Sequence, residues 1–345
     1  MRFSDIKGNS SIVSALRGMV DTGRIPHAML FHENDGGGAL PIVLAFLQYL
    51  YCRSRQDGDS CSECPSCNKI SKLIHPDVHF IFPVAGKGSV DKPTSETFIS
   101  EWRELILSKP YFFENQLYDA LGLENKQGVI AVSEAKSLLD KLSLFGVEGG
   151  YRSVVVYLPE KMNIQAANTL LKMVEEPPEN TVFLMITHEP EKVLKTIYSR
   201  CLFMRVLPLS REDLKDVHPE QDAEYSENAD IFGDLMNALI ARDLLTALET
   251  VDALVDLKNR EKQKSFFKFA SEALRKIFLV QQGLASIADI SEEESEYYSR
   301  LAGSVKRSFS RNALTYFDRA QTLLERNVNQ KILFTDLVNR LYVIV

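Results

Sequence analysis

A short apolar run, Ala28 to Phe31, gives way to the cluster Gly36-Gly37-Gly38, and the chain then reads ALPIVLAFLQYLYC. Bounded by Pro26 and the glycines, the run predicts a buried strand. The segment behind the glycines predicts a helix, with Pro41 tolerated in its first turn and Ile42, Ala45, Phe46 and Tyr49 on one face. Strand, glycine turn and helix in this order are the layout of a phosphate loop, and they commit the front of the chain to a βα unit. Ahead of it, Ile12, Leu16, Met19 and Val20 recur at helical spacing within residues 10–22, with Ser10 or Ser11 as a cap and Gly23 as the stop.

The same alternation resumes from Val129: VIAV, a helix through Lys136–Leu144, SVVVYL, a helix at residues 163–175, then VFLMIT. Apolar strands alternating with helices predict a mainly parallel α/β sheet, which stops near residue 207. Between the two stretches, residues 76–128 are irregular, broken by Pro76, Pro83, Pro93 and Pro110, with one amphipathic helix carrying Phe98, Trp102, Leu105 and Ile106. Residues 212–230 turn acidic and polar. Residues 230–345 hold long helical periodicities, with Gly233, Gly283 and Gly303 and no proline. The domains expected are therefore an α/β part over 1–207, a short connector over 208–230 and an all-helical part over 231–345, within the two or three domains that 345 residues admit.

With 45% hydrophobic and 25% charged residues, the chain has a globular composition, not that of a disordered, collagen-like or disulfide-built one. A net charge of −7 argues against a surface that grips nucleic acid as a whole, because neutralising phosphates needs a concentrated Lys/Arg face. The N-terminus MRFSDIKGNSS has no apolar core, and no uninterrupted apolar run approaches the length of a membrane span, so a cytoplasmic protein with no membrane partner is expected.

The glycine loop lacks the chemistry of a working one. In G-x-x-x-x-G-K-[ST], backbone amides cradle phosphates, the Lys neutralises them and the hydroxyl holds Mg²⁺. With Gly38 as the last glycine, Ala39 stands in the Lys slot, Leu40 in the hydroxyl slot and Glu33 in the first glycine slot. A carboxylate beside a lost cation disfavours triphosphate. The strand that should end in an Asp followed by Glu runs instead into Tyr157 and Leu158, which neither hold Mg²⁺ nor orient water.

Four of the five cysteines, Cys52, Cys61, Cys64 and Cys67, fall within sixteen residues and end in two CxxC steps, CSECPSC. In a reducing compartment that spacing predicts four thiolates closing a tetrahedral Zn²⁺ site, structural because no position is left for water. Reduced thiols without metal, or an iron–sulfur cluster, are the other readings of the spacing. His27, His75 and His79 are then structural, since four thiolates complete the shell.

GRIPHAMLF before the loop, the four-cysteine insertion, HPDVHFI behind it, EKMNIQAANTLLKMVEEPPENTVFLMIT and TIYSRC at 196–201 together resemble the delta-prime subunits of bacterial DNA polymerase III clamp loaders, in the AAA+ family. The resemblance covers residues 1–207, and more weakly the C-terminal helices through LERNVNQKILFTDLVNRL. It implies an AAA+ P-loop-type parallel sheet with a zinc insertion, a lid and a helical collar that joins a five-subunit ring. It also implies a stator without ATP hydrolysis of its own, and Arg200 of Ser199-Arg200-Cys201 as an arginine finger offered to a neighbour's ATP. The partners implied are the motor (gamma/tau) and delta subunits and, through the assembly, the sliding clamp and primed DNA. Lys172, Glu175 and Glu176 remain surface or interface residues. The stretch 80–128 is longer and more aromatic than this family's pattern, with Trp102 marking an extra packing surface, and 208–230 is short and polar for a three-helix lid. Two other functions compete: an active motor subunit with an unusual loop, against which Ala39 stands, and a zinc-bearing α/β scaffold unrelated to replication.

Overall fold

A computed structural model describes residues 1–86, 93–123, 128–143, 146–148, 150–257, 260–288, 290, 292–326 and 328–345. Parts of the 76–128 stretch, at 87–92 and 124–127, lie outside the described residues, as does Leu144 at the end of an expected helix. The chain divides into two units, Met1–Val217 and His218–Val345. Residues 208–230 fall on both sides of that division.

The first unit runs α1 (Ser10–Asp21), β1 (Ala28–His32), α2 (Ala39–Tyr51), α3 (Pro65–Ser71), β2 (Val78–Ile81), α4 (Ile99–Ser108), α5 (Glu114–Ala120), α6 (Val132–Ser143), β3 (Arg152–Tyr157), α7 (Ile164–Glu175), β4 (Thr181–Thr187), α8 (Lys195–Tyr198), β5 (Leu202–Arg205) and α9 (Arg211–Val217). Among the described residues the strands form one five-stranded sheet in the order β2-β3-β4-β1-β5, every pairing parallel. Period-2 alternation gives each face its own core. Met29, Phe31, Val155, Tyr157, Leu184 and Ile186 pack with α1, α2, α4 and α5, whereas Ala28, Leu30, Val154, Val156, Phe183 and Met185 pack with α6 and α7. Both faces of β1, β3 and β4 are covered, so these strands read as continuous apolar runs, whereas the edge strand β5 is largely exposed. This is the α/β sheet that the alternation predicts.

Several local expectations change in detail. The cap of α1 is Asn9 rather than Ser10 or Ser11; its side chain makes no cap bond and instead exchanges hydrogen bonds with the backbone of Leu207. VIAV yields only isolated bridges, Val84 with Val129 and Ile130 with Met162, because α6 starts at Val132 and leaves no length to propagate a strand. The strands β2 and β5 escape the periodicity argument, being four residues each. The packing surface expected at Trp102 lies inside the core: the ring is fully buried, stacked 4.3 Å from Phe82 and edge-on to Phe112 at 6.0 Å.

The second unit is helical throughout its described residues: α10 (Pro219–Ile240), α11 (Leu244–Asp256), α12 (Arg260–Gln281), α13 (Glu292–Ser304), α14 (Phe309–Glu325) and α15 (Gln330–Ile344). Its core gathers Phe232, Phe266, Phe267, Phe309, Phe317 and Phe334. No described helix is long and apolar enough to cross a membrane.

Candidate functional site: a glycine loop, a cysteine knuckle and an exposed arginine

The sheet order places β1 where the strand sequence reverses, between β4 and β5, and the crevice beyond the C-terminal ends of such strands is where open α/β sheets take ligands. The register sets His32 beside Thr187 there, with Tyr157 beside Ile186 one residue earlier. Three segments meet beyond it: the glycine loop after β1, the turn Leu158–Lys161 after β3, and His188 after β4.

Inside the loop lies the side chain of Glu33, which is 3% exposed. Its Oε2 accepts the Ala39 N–H at 2.6 Å, and a Cβ added to Gly37 would meet that oxygen at 3.0 Å. Gly38 has φ +103°, and a Cβ there would press on the Tyr111 ring at 2.7 Å; one on Gly36, φ +79°, would overlap the Phe113 ring. Only glycine tolerates both the left-handed backbone and this close approach. The stretch Tyr111–Glu114 therefore covers the loop, fastened by the Glu114 N–H on Asp35 Oδ1 at 2.8 Å and by the Lys7 N–H on the Tyr111 hydroxyl at 3.1 Å. Ala39 and Leu40 are buried and apolar, as are Tyr157 and Leu158 at the end of β3.

His188 faces this cluster with its side chain 10% exposed. Its Nε2 stands 3.7 Å from Glu33 Oε1, and its Nδ1 lies 3.8 Å from Asp35 and 3.9 Å from Glu114. Burial works against its charged form, but the carboxylates of Glu114, Glu33 and Asp35 outweigh it and hold its pKa up to about 10. Burial likewise opposes ionisation of Glu114. The His188 imidazolium, Lys161 Nζ at 2.8 Å and the Tyr118 hydroxyl at 2.8 Å nevertheless hold that carboxyl down to about 2. Glu160 fixes the imidazole's backbone, accepting the His188 N–H at 2.9 Å and the Thr187 hydroxyl at 2.7 Å. The ring of Tyr157 meets His188 edge-on at 5.8 Å.

The four cysteines predicted to hold metal are brought together. Their sulfurs all lie within 4.8 Å of one another, with Cys52 to Cys61 at 3.6 Å and Cys61 to Cys67 at 3.9 Å. Four Zn–S bonds of about 2.3 Å at tetrahedral angles require sulfurs about 3.8 Å apart, so the donor set fits Zn²⁺. Backbone N–H groups point at the sulfurs in sequence: Cys61 to Cys52, Cys64 to Cys61 and Cys67 to Cys64, at 3.3 to 3.5 Å. The N–H groups of Cys64 and Glu63 lower the Cys61 thiol to about 6, whereas burial pushes Cys67 up. The knuckle is tied to α2 by Gln48, whose amide nitrogen donates to Ser60 and Ser62. Cys201 stands apart as an ordinary thiol pushed up to about 11 by burial.

Arg200 lies between α8 and β5, at the opposite end of the strands from the loop, since Leu202 pairs with Met29 near the start of β1. Its Nη2 meets Glu175 Oε1 at 2.7 Å, and its Nη1 donates to the Thr196 carbonyl at 3.0 Å. Both partners of the ion pair are more than a third exposed, at 39% and 38%. Sequence reasoning named Arg200 and Glu33 but missed Glu175 as a partner, and it missed His188, Tyr111, Phe113 and Glu114 altogether. The run Tyr-Phe-Phe-Glu behind Pro110 was the available signal for the last three.

A parallel sheet with a glycine loop at its reversal point, a four-cysteine knuckle behind the loop helix and a separate helical unit define an α/β protein on the P-loop plan. The family model described as DNA polymerase III, delta subunit matches residues 8–210, and the chain belongs to that family. The chain is similar to the DNA polymerase III subunit delta' of Yersinia pestis, 33% identical over 190 residues, covering 54% of this chain and 44% of that protein. The subunit delta' of Escherichia coli (strain K12) is 30% identical over 186 residues, with the same shares of the two chains. The chain thus spans about half the length of the curated relatives it matches. Among solved structures, a DNA polymerase III gamma subunit-related protein from Thermotoga maritima aligns at 16% identity and a TM-score of 0.38, covering 96% of this chain and 99% of that one.

Proposed function

We propose that the chain is a non-motor subunit of a DNA polymerase III clamp loader, a stator that hydrolyses no ATP and lends Arg200 to a neighbour's nucleotide. The observation that carries the first half is the burial of Ala39, Leu40, Tyr157 and Leu158 where phosphate neutralisation and Mg²⁺ binding need a Lys, a hydroxyl and carboxylates. The second half is supported by placement. Arg200 sits at the opposite strand ends from its own loop, so the nucleotide it serves belongs to another subunit. Its pair with Glu175 is exposed, of a kind worth ~0–1 kcal/mol, and releases the guanidinium at little cost. A planar cation presented in this way stabilises charge on a transferring phosphoryl group.

In this reading residues 1–207 are the AAA+-like domain, 208–230 a reduced lid or connector, and 231–345 a collar that joins the motor (gamma/tau) and delta subunits. The sliding clamp and primed DNA are met through the assembly, in the cytoplasm. Cys52, Cys61, Cys64 and Cys67 hold a structural Zn²⁺, which cross-links the knuckle and supplies no reaction step.

The test is ATP turnover by the chain alone, then mixed with motor subunit, delta, clamp and primed DNA, with wild type and Arg200→Ala in parallel. The chain alone should be silent. Arg200→Ala should lower turnover at the site it serves by about a hundredfold or more. Turnover by the chain alone would make it a motor, and an unchanged mixture would reduce Arg200 to a surface ion pair.

A further inference from the structure

The loop is more than chemically depleted, because the space a phosphate would need is already in use. We propose that the glycine loop is an internally liganded anion site, in which the Glu33 carboxylate takes the place of a phosphate on the first amide of α2, that of Ala39, and the buried His188 side chain is its counter-charge. The ligand class that such a nest accepts when vacated is a small oxyanion, inorganic phosphate or a free carboxylate.

Two independent observations carry this. The first is at the helix start: Glu33 Oε2 accepts the Ala39 N–H at 2.6 Å and fills the cradle at Gly37, where an added Cβ would reach it at 3.0 Å. Aligned amides at the N-terminus of a thirteen-residue helix attract an anion, and here the anion is covalently part of the chain. The second is on the other side of the carboxylate: the His188 side chain is nine-tenths buried, and its Nε2 makes no hydrogen bond and stands 3.7 Å from Glu33 Oε1. The groups facing His188 are Glu33 from the end of β1, Asp35 from the loop, Glu114 from the covering stretch and the Tyr157 ring, with Glu160 on its backbone and Lys161 beyond Glu114. Tyr111 and Phe113 close the top. Truncating Glu33 leaves the Ala39 N–H without its acceptor and His188 Nε2 without a facing anion, while Asp35 and Glu114 remain beside Nδ1, so an anion from solution should restore what the side chain supplied.

The experiment is chemical rescue on the full chain. Glu33→Ala should melt below wild type, and phosphate or acetate at millimolar concentration should raise its melting temperature by several degrees, while chloride at equal ionic strength should not and wild type should respond to none of them. A variant that melts with wild type, or that phosphate shifts no more than chloride does, overturns the proposal. Should Glu33→Ala not fold, wild type carries the test: nitrogen NMR of the His188 ring should show both nitrogens protonated at pH 8, and a neutral ring there would equally overturn it. These readouts involve neither Arg200 nor ATP, so their failure leaves the stator reading standing, and failure of that reading leaves these untouched.

Discussion

Helix α2 begins at the glycine loop and ends on Cys52, so one rod about 20 Å long carries both sites, with the positive end of its dipole at the loop and the negative end at the knuckle. At the first end the Ala39 amide meets a carboxylate from the chain itself, braced by an imidazolium. At the second, four sulfurs converge with backbone N–H groups behind three of them. The knuckle is arranged for a cation that must be supplied. The loop is arranged for an anion already present. The loop's anion comes from the chain itself, whereas four converging sulfur donors are completed by a cation from outside it.

The most forceful way to break this contrast is to remove metal. Elemental analysis should give one zinc per chain, and a chelator or Cys64→Ser should lower the melting temperature sharply, since structural zinc contributes ~10–16 kcal/mol in small modules. A metal-free chain that melts unchanged would make the knuckle self-sufficient, like the loop.

The next effect is pH dependence. His188 is held up to about 10, so its contribution is fully present below its ordinary value of 6.5 and is lost as pH rises through about 10. Glu114, held down to about 2, contributes above its ordinary value of 4.5 and loses that contribution as pH falls through about 2. Melting scans between pH 7 and pH 10 should therefore show stability falling by a few kcal/mol in wild type and by much less in His188→Gln. Equal slopes would mean that the imidazolium is not the brace. The smallest effect belongs to the exposed pair at the far end of the strands: Glu175→Ala should shift stability by about 1 kcal/mol or less, checked by urea unfolding. A larger loss would show that Arg200 is anchored and not poised.

The parallel sheet was legible because Val154-Val155-Val156 and Val182 to Ile186 are buried on both faces and so remain apolar throughout. The cysteine cluster was legible because its four ligands lie within sixteen residues and its geometry is local. What escaped were groupings that only the sheet creates. His188 joins Glu33 and Glu114 through partners some 155 and 74 positions away, and no periodicity connects them. Arg200 and Glu175 meet because α7 and the turn before β5 end at the same edge, a fact of register. β2 and β5 are too short for a pattern to rise above its flanks. The cap of α1 was misplaced because Asn9 spends its side chain on Leu207, a long-range choice that local propensity does not contain.

Leu158, at the end of β3, has φ +58°, a left-handed backbone that Gly, Asn and Asp enter far more readily than a leucine. It is held there by full burial and by its N–H on the Ile186 carbonyl at 2.8 Å. The leucine bears a strain of ~1–2 kcal/mol to stay in a turn shaped for a short polar side chain. At this strand end a left-handed backbone turn is pinned by a side chain that belongs to the apolar core on the α1 and α2 side of the sheet, so the Leu158 side chain anchors the turn after β3 by packing and not by polar contacts.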